Sequence, residues 1–409
     1  MTIFDKLKIR AAWFRPDESD VQLMGTLDGD SLEVFRKTSL SELAKNFEEQ
    51  HNVKLIPIFH GLGEKNVTLV DVYQTRVTSN MTNLEFVTYR CNDVILGTHY
   101  QKTDKIKSLS FSYPFVWGPF HSPKKENDDF SHYYKIHESV DMDSSVKLVI
   151  GQTSGTSHSI LEQKTTHSEF FKVESKDGML LDKLISYLKL IHYFLRLCIG
   201  KTIYPSRMDG YTTSKNSFEY YPYWLLEYHR RNTENVNPKH VADAIIRYQD
   251  LKNNFEAIIQ KWTQLWFETS EIMFDFFNVF DSYISLNTQF TEYTNVLQRF
   301  YDSMRPQRAE FREEINWFLD LCPDKVKTDI MKDHFVDKIV NTRNYNVHGS
   351  DTNLEYVIKG GNELGYLVND LRTLIETFLV SELPIITNKE LMQEKIFIEN
   401  NYSRMHPVM

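Results

Sequence analysis

Along the first ~175 residues apolar side chains recur at every second position in short runs, the period of strands half-buried in a sheet. Val21 to Leu27 and Leu32 to Phe35 flank Asp28-Gly29-Asp30-Ser31, which predicts a hairpin with an Asp-Gly turn. Val67 to Tyr73, Leu84 to Arg90 and Val94 to Gly97 continue the β-branched and aromatic pattern, and Ser168 to Val173 adds one more strand. Ser108 to Tyr113 alternates cleanly, with Leu109, Phe111 and Tyr113 on one side. Leu40 to Gln50 has the spacing of a short helical insertion, and the polar stretch Ser122 to Asp143 is expected to be an exposed loop. Gly151 to Thr156 lacks the Gly-Lys-Ser/Thr ending of a phosphate loop and is expected to form a surface turn.

The period then changes. Leu180 to Cys198 predicts an amphipathic helix buried on one face, with Gly200 placed to cap it. Tyr220-Tyr221-Pro222-Tyr223-Trp224 fits a domain seam better than a surface for stacking bases. A polar linker, Arg230 to Pro238, marks the domain boundary. Beyond it, helical spacing predicts elements at Val241 to Gln260, Leu265 to Tyr283, Phe290 to Met304, Ala309 to Leu321, Val326 to His348 and Asn362 to Leu379; from Asn388 no apolar period is long enough to name. The fold class is therefore α+β: a β-rich, sandwich-like N-terminal domain over 1–235, containing the helix at 180–199, an all-α bundle over 240–385, and a C-terminal tail over 386–409.

Composition narrows the class. With 409 residues, 41% hydrophobic and 25% charged, the chain is an ordinary globular protein of two domains. Its net charge of −9 argues against a coat of positive potential, so contact with nucleic acid has to come from a local pocket. Between Arg305 and Arg343 eight basic residues are matched by eight acidic ones. Cys91, Cys198 and Cys322 are odd in number and far apart, which supports neither a disulfide framework nor a zinc site and fits a reducing cytoplasm. Met1 to Lys8 has no apolar leader, and the most apolar helix carries Asp182, Lys183, Lys189, His192 and Arg196, so no membrane span is expected. Neither a cofactor nor a metal is expected: there is no His-Glu-x-x-His, and Glu313-Glu314 and Asp128-Asp129 have the character of solvated faces.

Candidate chemistry sits in Phe335 to Ser350. Val336, Val340 and Val347 recur on one helical face with Ile339 at its edge, and the remaining slot of that stripe holds Arg343. A guanidinium in an apolar stripe requires a partner, either a carboxylate on another helix or an anion that arrives as ligand. Asn344 and His348 lie one turn apart, and Gly349 is placed to close the helix. Taken alone, an Arg followed five residues later by a His fits a structural ion pair beside a surface His.

The arrangement Arg343-Asn344-Tyr345-Asn346-Val347-His348-Gly349, within an all-helical C-terminal region, resembles the Arg-x4-His signature of HEPN ribonuclease domains. Gly25, the strand after His60-Gly61-Leu62-Gly63, Leu96-Gly97-Thr98-His99 and Leu109 to Trp117 resemble the N-terminal domain of ApeA-type anti-phage proteins; by themselves these positions fit strand cores and turn glycines without chemistry. The resemblance implies a metal-independent endoribonuclease acting in abortive infection, with Arg343, Asn344 and His348 catalytic. It implies RNA as substrate, tRNA being one candidate, a homodimer through the HEPN domain, and an N-terminal domain that senses a phage-derived trigger. The rival is a non-enzymatic scaffold in which the helical domain serves dimerisation and the β-domain binds a partner, a reading favoured by the acidic net charge.

Overall fold

The computed structural model describes residues 7–20, 22–37, 55–79, 84–113, 117, 132–158, 163–214, 216–225, 244–281, 284–305, 307–349 and 354–402. Leu40 to Gln50, the linker Arg230 to Pro238 and residues 122–131 of the expected loop lie outside them.

Thirteen strands among these residues form one sheet. They are β1 (Lys8–Phe14), β2 (Leu23–Asp28), β3 (Ser31–Lys37), β4 (Leu55–Leu62), β5 (Asn66–Ser79), β6 (Leu84–Arg90), β7 (Asp93–Leu96), β8 (Lys105–Tyr113), β9 (His132–Asp141), β10 (Val146–His158), β11 (Gln163–Leu180), β12 (Arg207–Thr212) and β13 (Ser217–Pro222). The order β4-β1-β2-β3-β6-β5 closes on itself because β4 also pairs with β5, giving a six-stranded ring; the sheet continues from β5 through β7-β13-β12-β8-β11-β10-β9. The Asp28 hairpin forms as expected, with Met24 opposite Phe35 and Gly29 at φ 66°.

The ring encloses its own core of Trp13, Leu27, Val34, Phe59, Leu69, Val87 and their neighbours. Trp13 fills the interior by lying across Gly61, where an added Cβ would come 2.6 Å from the indole. His60 and His99 stack at 4.5 Å, and each ring Nε2 contacts a main-chain carbonyl, that of Tyr100 and of Gly61 respectively. Strands β7 and β13 face two cores: Val94, Leu96 and Tyr221 point into the ring, while Ile95 and Tyr220 join the larger core outside it. This explains the unbroken apolar run Val94-Ile95-Leu96, which has no polar face to spare.

Two loop expectations give way to strands. Gly151 to Thr156 lies inside β10, paired with β11 throughout and with β9 as far as Gly155, with a register shift at Ile150/Gly151. His132–Asp141, within the stretch expected to be a loop, is the edge strand β9.

Helix α1 (Leu181–Ile199) ends at Gly200, which is left-handed with φ 73°. Its second half is buried all round, not on one face: every residue from Leu190 to Ile199 is buried, including His192 and Arg196. The reason is position, because α1 lies between the sheet and the helical bundle. On one side the Tyr113 hydroxyl meets His192 Nδ1 at 2.8 Å; on the other, Trp262 Nε1 donates to Leu190 O at 2.9 Å and the Arg196 guanidinium packs on the Phe277 ring. Burial holds His192 well below the usual imidazole pKa, with Arg196 and Lys189 adding to the effect.

After the short helix α2 (Tyr248–Leu251) come α3 (Phe255–Asp281), α4 (Leu286–Met304), α5 (Phe311–Asp320), α6 (Asp324–Ile330), α7 (Phe335–His348), α8 (Gly361–Glu382) and α9 (Lys389–Asn400). Three boundaries differ from expectation. The two helices expected around Leu265 are one, kinked at Thr269, whose hydroxyl donates to Leu265 O at 2.7 Å. The single helix expected over Val326 to His348 is two, broken by a 3-10 turn ending at His334, which adopts φ 62°. Residues 389–400 form α9, which buries Met392, Ile396 and Phe397 and caps the bundle through Gln393, whose side-chain amide donates to Leu321 O and Thr377 O. A β-rich N-terminal region followed by an all-helical bundle is thus the architecture, and one apolar core runs from the sheet through α1 into the bundle.

Candidate active site at the end of helix α7

Helix α7 is fixed at both ends. Asp337 in its first turn accepts from Arg312 Nη2 at 2.7 Å, and at its end Gly349 is left-handed with its N–H on Tyr345 O at 3.0 Å. The buried stripe is Phe335, Ile339 and Thr342, one position away from the expected valines. Thr342 belongs to it because its hydroxyl accepts the Ile358 N–H at 2.9 Å, tying the returning chain to the helix. Val336 and Val340 are half-buried and Val347 is 51% exposed. Arg343 therefore sits on the edge of the apolar stripe instead of inside it, half-buried, with access to solvent on one side.

Two other helices hold the Arg343 side chain. Its Nη2 donates to Gln298 Oε1 of α4 at 2.8 Å, and its guanidinium carbon lies 4.4 Å from the centre of the Phe311 ring at the start of α5. Its Nε is buried and has no acceptor among the described residues. Glu314, one turn along α5 and expected on a solvated face, is instead 2% exposed, hydrogen-bonded to Gln298, with Oε2 unsatisfied. Burial, reinforced by Asp302, raises the Glu314 pKa, while Gln298 and Arg343 pull it back down. The partner that an embedded guanidinium requires is thus an amide and an aromatic face, with the buried Glu314 carboxyl behind the amide and within the field of the guanidinium.

Asn344 is half-buried and makes no side-chain hydrogen bond among the described residues. His348 is the last residue of α7, and its expected contact with Asn344 lies outside the described part of the structure. Tyr345 carries the Lys359 ammonium 5.3 Å above its ring, so a second cation stands beside the helix end. Nearby cations are otherwise matched: Lys338 donates to Glu363 at 2.7 Å and Arg312 to Asp337. Gln298, Phe311, Glu314 and Lys359 are the neighbours that the sequence does not announce, since they lie on other elements and no spacing connects them to Arg343.

Chemically, the arrangement offers a guanidinium fixed in orientation by one acceptor and one stacked face, leaving its other edge for an oxyanion. Two family models match the chain: the one described as ApeA N-terminal domain 1 over residues 8–262, and the one described as Apea-like HEPN over residues 216–388. The two matches share residues 216–262, which span the start of α3. No curated protein and no solved structure matches.

Proposed function

Because the chain belongs to the ApeA family, with an ApeA-like HEPN domain in its C-terminal half, we propose that it is a metal-independent endoribonuclease of anti-phage defence whose reaction centres on Arg343 and His348. The observation that carries this reading is the state of Arg343: half-buried, held by Gln298 and Phe311, and not in an ion pair with a carboxylate among the described residues, so that its free edge can take a phosphate.

In the proposed reaction the 2′-hydroxyl oxygen attacks the adjacent phosphorus as a His348 imidazole takes its proton. The phosphorus–5′-oxygen bond breaks, a protonated imidazole donates to the departing oxygen, and the products are a 2′,3′-cyclic phosphate and a 5′-hydroxyl. Arg343 stabilises the charge on the non-bridging oxygens, and Asn344 orients the imidazole. A two-fold dimer through the helical domain supplies both protonation states at once, one His348 acting as base and the partner's His348 as acid. Dependence on the 2′-hydroxyl selects RNA over DNA. The N-terminal sheet is the sensor of a phage-derived trigger, the response is abortive infection, and tRNA is one candidate target.

Purified protein incubated with total RNA should generate 2′,3′-cyclic phosphate ends, and His348→Ala should abolish them without changing the circular dichroism spectrum. Cleavage of a strand carrying a 2′-deoxy sugar at the cut site would refute the mechanism, and a folded wild-type protein that leaves every RNA intact would favour the scaffold.

A further inference from the structure

A cleft of about 380 Å³ opens where α1, α3 and α4 meet, lined by Ser186 and Lys189 of α1, Trp266, Ser270, Phe274 and Asp275 of α3, and Arg299 of α4. Its size falls within the range of roughly 300–1,000 Å³ usual for small-molecule sites. The kink at Thr269 divides the α3 side of the cleft, with Trp266 before it and Ser270, Phe274 and Asp275 after it.

The charges in this cleft are unevenly satisfied. Arg299 contacts Asp275 and has Glu271 at 3.8 Å, so its charge is matched. Lys189 is half-buried and has no hydrogen-bond or ion-pair partner among the described residues; Asp93 and Asp182 act on it only through their fields. Burial lowers its pKa, while the fields of Asp93 and Asp182 act in the opposite sense. Beside it stand two aromatic rings: Trp266, which packs on Tyr193 and is buried but for an edge at 5% exposure, and the 43% exposed Phe274.

We propose that this cleft binds a small aromatic anion of mononucleotide size, with its anionic group on Lys189, its ring against Trp266 and Phe274, and its hydroxyl or amino groups on Asp275 and Glu271. The pairing follows from the chemistry of the walls: one unmatched cation, two aromatic surfaces, and two carboxylates that accept from neutral donors. Ser186 and Ser270 add hydroxyls at the rim. The site is separate from Arg343 and does not rest on the ribonuclease reading. A ligand seated there touches α1, which only the N-terminal family match covers, and α4, which only the HEPN match covers.

Isothermal titration calorimetry of the full-length protein with adenosine 5′-monophosphate tests this, with adenosine and inorganic phosphate as separate arms. Saturable one-to-one binding at or below roughly millimolar concentration is expected, weaker by about tenfold or more for either half of the molecule. Lys189→Met, which keeps the aliphatic stem and removes the charge, should weaken the nucleotide by about tenfold or more while leaving the melting temperature unchanged or higher. Phe274→Ala, on an exposed face, should also weaken it, and Arg343→Ala should bind as the wild type does. No binding at millimolar nucleotide, phosphate binding as tightly as the nucleotide, or full affinity in Lys189→Met would each overturn the proposal.

Discussion

Replacing Arg343 by lysine separates a charge that holds the fold from a fork proposed to hold a phosphate. The substitution loses the 2.8 Å bond to Gln298 Oε1 and the flat contact 4.4 Å above Phe311, while keeping one positive charge on a stem of similar length. A hydrogen bond to a charged group contributes about 1.5–3 kcal/mol. A partly exposed cation–π contact adds about 0.5–1 kcal/mol. A lysine ammonium reaching the same amide recovers part of this, so the net destabilisation is about 1–2 kcal/mol, which a fold stable by about 5–15 kcal/mol survives. Loss of the donor fork opposite a developing oxyanion costs about 10²–10³ in rate. Activity should thus fall far more than stability. Initial rates of cyclic-phosphate formation, measured beside thermal melts of the same preparations, provide the comparison. If the lysine variant cuts RNA within about threefold of the wild-type rate, the fork plays no part in the transition state. If instead the loss of cleavage tracks the unfolded fraction across temperatures, Arg343 is structural.

Glu314→Gln removes the buried acid behind Arg343 and should leave cleavage intact. Its raised pKa means that the folded state holds the proton more tightly than the unfolded chain, so stability declines as pH rises above the ordinary carboxylate value. Urea melts of the Gln variant should lack that decline, and abolished cleavage would assign Glu314 a role in the reaction. His192 has the opposite sense: its folded pKa lies below the unfolded value, so its stabilisation is complete above an unfolded pKa of about 6.5 and is lost as pH falls below it. Denaturant midpoints of His192→Gln should accordingly depend less on pH between about 5 and 7 than those of the wild type. Gly61→Ala forces a methyl to 2.6 Å from the Trp13 ring and should cost about 1–3 kcal/mol in chemical denaturation; an unchanged midpoint would mean that the ring core is looser than its packing implies.

The sequence carried the strand and helix content because local period records which face is covered, and it failed where coverage comes from elements distant in the chain. Val336, Val340 and Val347 satisfy a helical stripe, yet α7 buries Phe335, Ile339 and Thr342 instead. Thr342 looks polar in sequence and belongs to the core only because Ile358 returns to bond with it. That rotation by one position moves Arg343 from the inside of the stripe to its edge, which is the difference between a buried structural cation and a reachable one. In α1, five polar or charged residues signal an exposed face, but His192 and Arg196 find Tyr113 and Phe277 on opposite sides of the helix and are buried. Gly349 needed no tertiary partner to be legible, since a left-handed cap is a local requirement. Gln298 and Phe311 were beyond reach for the opposite reason: they meet Arg343 only when three helices pack.

Packing also reconciles an acidic protein with an anionic substrate. Of the eight basic residues between Arg305 and Arg343, Arg312, Lys325, Lys327, Lys332 and Lys338 are each paired with a carboxylate, and Arg305 lies over the Trp317 ring. Exposed pairs of this kind add little stability, so their effect is local neutralisation of the described surface between Arg305 and Lys338. Against that background Arg343, hydrogen-bonded to an amide, and Lys359, over the Tyr345 ring, are cations of α7's surroundings that make no ion pair among the described residues. A net charge of −9 therefore does not oppose a phosphate at this place, because attraction at close range is set by the nearest unmatched charges and distant ones are screened within about 10 Å. Under the proposed function, the same distribution disfavours broad capture of the nucleic-acid backbone and leaves recognition to the few nucleotides that would reach the helix end.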